Sequence, residues 1–360
     1  MIWERRSMPY RPMMSVGEIE RELARLRMDE GGSLGARSSV LNLVVVTDEE
    51  AAEDVSRIVS EISGRHPSRT ILMISDPEEE GANLEVRLSI LCGERGGGSR
   101  QVCAEQVAIH TEGPPAGHLE SLAGPLLVPD LPVFLWYANG EVPASLERGI
   151  APLADRLILD SGAAGGCDAS LRAIANLLKE ETAPAIVDLQ WTAISPWRSL
   201  VADLFSASER AVELGEMERV EILHGGGGEC RALLLAGWLS SALDWRLEEP
   251  GEREEGGRTF RFLGPSGAVV VEILAPASEG GGSLNGIRLF SGDTTFEVSL
   301  HGERTACTTL VRGDGLVGER TVHLEPPEVG ALLGEEIRLT GRDGVYEAAA
   351  ERAAEMLDPS

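Results

Sequence analysis

The run Val40–Val46 reads VLNLVVV, almost unbroken in branched and aliphatic residues. A strand carries such a run when both of its faces are buried, which puts it inside a helix-covered, partly parallel sheet. Thr47 and Glu50 are spaced to cap a following helix. Its residues Ala51, Val55, Ile58, Val59 and Ile62 form one apolar stripe, Gly64 closes it, and Thr70–Ser75 (TILMIS) supplies the next strand. This is a βαβ unit, so the two strands are expected to be parallel with a right-handed crossover.

Upstream, residues 1–14 read as an irregular segment. Ser15 and Glu18 make an S-x-x-E capping box for a helix whose Val16, Ile19, Leu23 and Leu26 share one face, ended by Gly31 and Gly32. Downstream, Leu84–Leu91 and Gln101–Thr111 form a hairpin-like pair joined by ERGGGSR. A short helix at 118–123, strands at 133–137 and 154–161, a helix at 169–181 and the segment SPWRSLVADLF follow. In that segment Ser195 is a candidate N-cap, with Pro196 at the first helical position.

Residues 206–216 read as a boundary. Beyond it come a strand (219–223), four glycines, a long helix (231–244), and alternating strands at 259–263, 269–274, 286–290, 295–300, 305–311 and 320–324. Turns such as Gly280-Gly-Gly-Ser and Gly313-Asp-Gly separate them, and helices from Pro327 and Asp343 end the chain. The expected architecture is an α/β domain with a mixed, partly parallel sheet over 15–210, and an α+β domain with a mainly antiparallel sheet over 217–360.

At 360 residues two domains are the natural expectation. The 59 acidic residues exceed the 32 basic ones, for a net charge of −27. Such a surface repels phosphate backbones, so no nucleic-acid partner is expected. No stretch approaches the roughly 18 consecutive apolar residues of a membrane helix, and the opening MIWERRSMPYRP lacks a signal-peptide pattern, so no membrane association and a cytoplasmic location are expected. Lys179 is the single lysine, which removes P-loop chemistry. Cys92, Cys103, Cys167, Cys230 and Cys307 include no CxxC pair and read as reduced thiols. Cys92 and Cys103 read as two small buried residues on paired strands.

Catalytic signals are missing. There is no G-x-S-x-G, and the six histidines show no metal-binding spacing, so no catalytic residues, no metal and no cofactor are expected. Two ligand motifs remain. RHPSRT contains Arg65, His66, Ser68 and Arg69 at a strand entrance. These suit a phosphate or an acidic partner, or else form a Pro67 turn whose arginines offset nearby acids. Gly225, Gly226, Gly227 and Gly228 lie between a strand and a helix, where bare backbone N–H groups cradle anions. Here the third fingerprint glycine is replaced by Cys230, and Glu229 adds a negative charge, so a plain loop is favoured. Trp136 and Tyr137 end an apolar run read mainly as core. Trp191, Trp197 and Arg198 stand open between core and partner surface.

Several of these segments occur together and in order: RHPSRT, PLLVPDLPVFLWY, LADRLILDS, DLQWTAISPWRSLVADLF and AGWLSSALDW. In this they resemble the glucose-6-phosphate dehydrogenase assembly protein family, OpcA. The likeness is densest from Leu126 to Phe205 and thin after 245. It implies a non-catalytic protein that binds glucose-6-phosphate dehydrogenase. Such a protein promotes the enzyme's assembly or active conformation and supports NADPH output of the oxidative pentose phosphate pathway. The alternatives are a phosphosugar-binding enzyme, such as a lactonase or isomerase, and a metabolite-sensing regulator.

Overall fold

The computed structural model describes residues 3–12, 14–28, 36–37, 39–76, 83–94, 101–114, 118–163, 166–249, 251, 253–254, 257–275, 284–302, 305–313, 315–326, 328–339 and 341–358. The glycine pair 31–32, the 95–100 turn, the 280–283 turn, Asp314 and Pro327 lie outside them. The chain divides into two compact units. The first comprises Met1–Asp160, Glu180–Val187 and Glu328–Arg342. The second comprises Ser161–Lys179, Asp188–Pro327 and Asp343–Ser360, and the 206–216 stretch falls within it.

The first unit is built on a mixed sheet. Its strands run in the order Trp3–Ser7, Asn83–Glu94, Gln101–Glu112, Arg69–Asp76, Asn42–Thr47, Val133–Tyr137, Arg156–Leu159 and Ala185–Asp188. Asn42–Thr47 pairs in parallel with Arg69–Asp76 on one side and Val133–Tyr137 on the other. Every one of its residues is buried, as the β-branched run demands. Residues 1–14 are not irregular throughout. Trp3–Ser7 and Arg11–Pro12 both pair antiparallel with Asn83–Glu94, because that long strand offers an edge.

Ser15 caps the Val16–Leu26 helix through the full capping box, and Ile19 and Leu23 of that helix are buried. Thr47, by contrast, does not cap the next helix. It stays in the strand opposite Ile74, the Ala52–Ser63 helix follows Ala51, and the Asp48 carboxylate accepts from the Ala51 N–H at 2.8 Å.

The second unit carries a nine-stranded, mainly antiparallel sheet. Its main order is Arg246–Glu249, Gly257–Gly264, Gly267–Leu274, Arg219–His224, Leu284–Ser291, Thr294–His301, Thr305–Arg312 and Gly315–His323. One parallel pair, Arg219–His224 with Gly267–Leu274, interrupts the antiparallel order. Alternation fixes the core face. Phe260, Phe262, Val269, Val271, Ile273, Val220 and Ile222 are buried, whereas the intervening Thr259, Arg261, Leu263 and Arg219 are exposed.

Ser195 does not serve as a cap. It is the first residue of the Ser195–Leu204 helix, which follows directly on a short Leu189–Ala193 helix capped by Asp188. The Glu229–Ala242 and Gly344–Leu357 helices pack through small residues: Ala349, Ala350 and Ala353 are fully buried. A Cβ on Gly237 would press into the Ala349 carbonyl oxygen and lie 3.1 Å from the Ala353 nitrogen. Both contacts are helix backbone, which cannot yield locally. Gly237→Ala is therefore expected to destabilise the second unit by about 1–3 kcal/mol of overpacking, despite a helix-propensity gain of about 0.5–1 kcal/mol. Urea unfolding with equal or higher stability for the variant would contradict this packing.

The fold class read from the sequence, a mixed sheet followed by a mainly antiparallel one, is the one observed. The cysteines differ from expectation. Cys92 and Cys103 are direct antiparallel partners and form a disulfide, and Cys167 and Cys230 form a second. Cys307 remains a free, buried thiol whose pKa burial pushes up, with Glu319 adding to the effect.

Candidate partner-binding site

The RHPSRT motif is divided by the start of the Arg69–Asp76 strand. The strand is buried on both faces from its first residue, so Arg69 lies in the interior, where its side chain is fully buried. Its Nε and Nη2 donate to Glu105 Oε2 at 2.8 and 2.6 Å. Its Nη1 donates to Glu20 Oε1 at 2.8 Å and to the Leu126 carbonyl at 3.1 Å. Burial works against the charged guanidinium, but the bonds and charges of Glu20 and Glu105 outweigh it and raise its pKa. Ser68 is also buried, with its hydroxyl 3.0 Å from that of Thr70. Arg65 is exposed and His66 half-buried. Burial, together with the charges of Arg338 and Arg65, lowers the His66 pKa and favours its neutral ring. The motif thus offers Arg65 and His66 to solvent and commits Ser68 and Arg69 to the core.

Trp136 and Tyr137 belong to the core of the first unit, at 3% and 9% exposure. Burial, with Glu141 adding to it, pushes the Tyr137 hydroxyl up to about 12, so it stays a neutral donor.

In the second unit Trp191, Arg198 and Asp343 are brought together. Trp191 is buried and its Nε1–H donates to Asp343 Oδ2 at 3.0 Å. The other Asp343 oxygen caps the final helix, accepting from the Val345 and Tyr346 N–H groups at 3.0 and 3.1 Å. The Arg198 guanidinium lies 3.5 Å over the Trp191 ring, and Tyr346 packs against that indole with ring centroids 5.7 Å apart. Burial lowers the Arg198 pKa, against the opposing pull of Asp343. The result is a half-exposed cation set over an aromatic ring, a geometry suited to cation–π contact and to carboxylate recognition. Trp197 is buried on the inner side of its helix.

The glycine loop is arranged as a strand-to-helix connection. Gly226 and Gly227 are exposed, Gly225 and Gly228 are buried, and Gly227 takes φ +76°. At the helix start Arg258 donates from Nε to Glu229 Oε1 at 2.9 Å and from Nη2 to both Asp168 oxygens at 2.8 Å. Glu229 already places a carboxylate at the positive helix end, the position an anionic ligand would take.

Sequence reasoning missed Asp343, Arg258 and the two disulfides. Asp343 was legible as a cap, since Asp preceding a helical run is a standard start signal. Its bond to Trp191, 152 residues away, was not. Among the described residues no group of three or more His, Cys, Asp or Glu is placed to hold a metal ion. No helix among them is long and apolar enough to cross a membrane.

Two family models, described as the N-terminal domain and the C-terminal domain of a "Glucose-6-phosphate dehydrogenase subunit", match residues 59–176 and 184–350 respectively. Similar curated relatives include the "Putative OxPP cycle protein OpcA" of Synechocystis, 25% identical over 81% of this chain and 64% of that protein. The protein of the same name from Synechococcus elongatus is 28% identical over 68% of this chain and 58% of its own length. The chain therefore spans somewhat under two thirds of those relatives. Among solved structures, KijD10, a 3-ketoreductase from Actinomadura kijaniata, aligns with a TM-score of 0.49 at 12% identity over 88% of this chain and 95% of that one. YvaA, described as an oxidoreductase from Bacillus subtilis, aligns at 0.47 and 9%, over 89% of this chain and 96% of its own. Scores and identities this low carry no argument about chemistry. The two family models, matched in order across most of the sequence, place this chain in the OpcA family.

Proposed function

We propose that this protein is a non-catalytic partner of glucose-6-phosphate dehydrogenase. It binds the enzyme, favours its assembled or high-affinity state, and so supports NADPH production in the cytoplasm. The observation that carries this reading is the pair of family matches, each to a domain described as part of that dehydrogenase and together covering both halves of the chain. The contact residues we favour are those that keep exposed surface, namely Arg65 and His66 in the first unit and Arg198 in the second.

An activator of this kind works only through differential binding to two enzyme states. A coupling of about 1–3 kcal/mol corresponds to roughly a 5- to 150-fold change in apparent affinity. Titration of this protein into the cognate dehydrogenase, with NADPH formation followed across substrate concentrations, is expected to give saturable activation. A fall in KM separates an effect on substrate affinity from one on assembly, which would appear as a larger species on sizing. Unchanged kinetics together with no co-elution would refute the partnership.

A further inference from the structure

The two faces of the first unit's sheet are dressed differently. Arg69 and Glu105 lie on the face covered by the Val16–Leu26 helix, whose Glu20 reaches Arg69. The other face carries Leu72 and Ile74 beneath the Ala52–Ser63 helix, and further along it changes character. Registers place Arg5, Leu91 and Ala104 in one row and Ser7, Ser89 and Gln106 in the next. Arg87 and Ala108 make a third row. A face built only to pack a helix carries Val, Ile and Leu; this one carries small, polar and cationic side chains. The consequence is an open groove of about 1330 Å³ between the sheet and the Ala52–Ser63 helix.

Arg5 and Arg87 both line this groove. Carboxylates outnumber cationic side chains by 59 to 32 in the chain, yet among the described residues neither arginine has a carboxylate at ion-pair distance. Each stands within reach of the other's charge instead: burial first, and then the Arg87 charge, lowers the pKa of Arg5. Arg87 is also held in place. Its guanidinium lies 4.8 Å over the Tyr10 ring, Tyr10 meets His110 edge-on at 6.4 Å, and His110 Nε2 is 2.8 Å from Glu49. Of the five carboxylates that line the groove, Asp54 and Glu61 both pair with Arg57, at 3.0 and 3.3 Å, and Glu49 pairs with His110; the other two are Glu50 and Glu53. Two arginines held without counter-ions above a polar floor are what a doubly charged oxyanion requires, since each guanidinium presents a fork of donors to it.

We propose that this groove binds a phosphate-bearing small molecule, with the phosphate held between Arg5 and Arg87. The site needs no dehydrogenase, so its test on the isolated full-length chain is separate from the partnership above. Calorimetric titration would use inorganic phosphate, glucose 6-phosphate and, as control, glucose. The expected result is saturable, salt-sensitive binding of one or both phosphates and none of glucose. Tighter binding of the sugar phosphate identifies an organic ligand, whereas equal binding identifies free phosphate.

Arg87→Ala is expected to weaken binding about tenfold to a hundredfold, the usual worth of a charge-assisted hydrogen bond. Arg25→Ala, which changes an exposed arginine of the same unit that pairs with Glu22 at 3.6 Å and does not line the groove, is expected to leave it within about twofold. Should Arg87→Ala lose its native circular dichroism, Arg5→Gln on the exposed edge strand carries the same test. Absence of saturable binding, or equal losses in the Arg25 variant, would overturn the assignment.

Discussion

Replacing Arg69 by methionine is expected to be among the most damaging single changes in the first unit, costing about 3–5 kcal/mol. The dominant cause is the loss of two charge-assisted bonds from a carboxylate that stays buried, Glu105. Arg69 and Glu105 both have fully buried side chains, and Arg69 gives Glu105 two of its hydrogen bonds. With the guanidinium gone, Glu105 loses both of those bonds, and Arg27, whose Nε lies 3.4 Å from its other oxygen, does not replace them. Removing both charges has a different consequence. Arg69→Met combined with Glu105→Leu is expected to recover most of the stability, since a buried ion pair contributes little over apolar packing of similar volume. Chemical denaturation of the two single variants and the double variant makes the cycle. A loss under about 1 kcal/mol for Arg69→Met would mean that the network is not the brace described here.

The network also shows where reading a sequence stops. The capping box at Ser15 and Glu18, the buried strand at Asn42–Thr47 and the alternating strands of the second unit rest on residues a few positions apart, and each was legible. Arg69 was read either as a phosphate or partner contact or as an arginine offsetting nearby acids, and nothing in its local motif said which acids those would be. Its partners Glu20 and Glu105 are 49 and 36 residues away. Only the parallel pairing of Arg69 with Glu105 brings them to one face. Arg5 and Arg87 were invisible for the same reason, lying far apart along the chain until their strands pair. Thr47 and Ser195 failed as caps because an i, i+3 pattern, or a proline that follows, records only what a cap can do. Whether the backbone has left its strand or begun its helix by that residue is decided by neighbouring elements. The glycine loop was read in the right place, and the charge that argues against an anion there, Glu229, was visible in the sequence itself.

Distance along the chain hides the cysteine pairing in the same way. Cys167 and Cys230 are 63 residues apart, yet they begin two helices, Cys167–Leu178 and Glu229–Ala242, whose first turns meet. Cross-linking a loop of that length constrains the unfolded chain by about 4 kcal/mol, against about 3 kcal/mol for the 11-residue separation of Cys92 and Cys103. Access differs as well. Cys92 and Cys103 are at most 1% exposed, whereas Cys167 is half-buried. Exchange requires a thiolate to reach a sulfur, so mild reductant is expected to open Cys167–Cys230 first. Mass spectrometry of the alkylated native protein should then show Cys167 and Cys230 labelled before Cys92 and Cys103. Denaturant midpoints should fall as that label appears, and Cys167→Ser with Cys230→Ser should reproduce the fall without reductant. Alkylation of all five cysteines after unfolding without reductant would refute both disulfides. Labelling of Cys307 alone under those conditions would establish that the other four are paired.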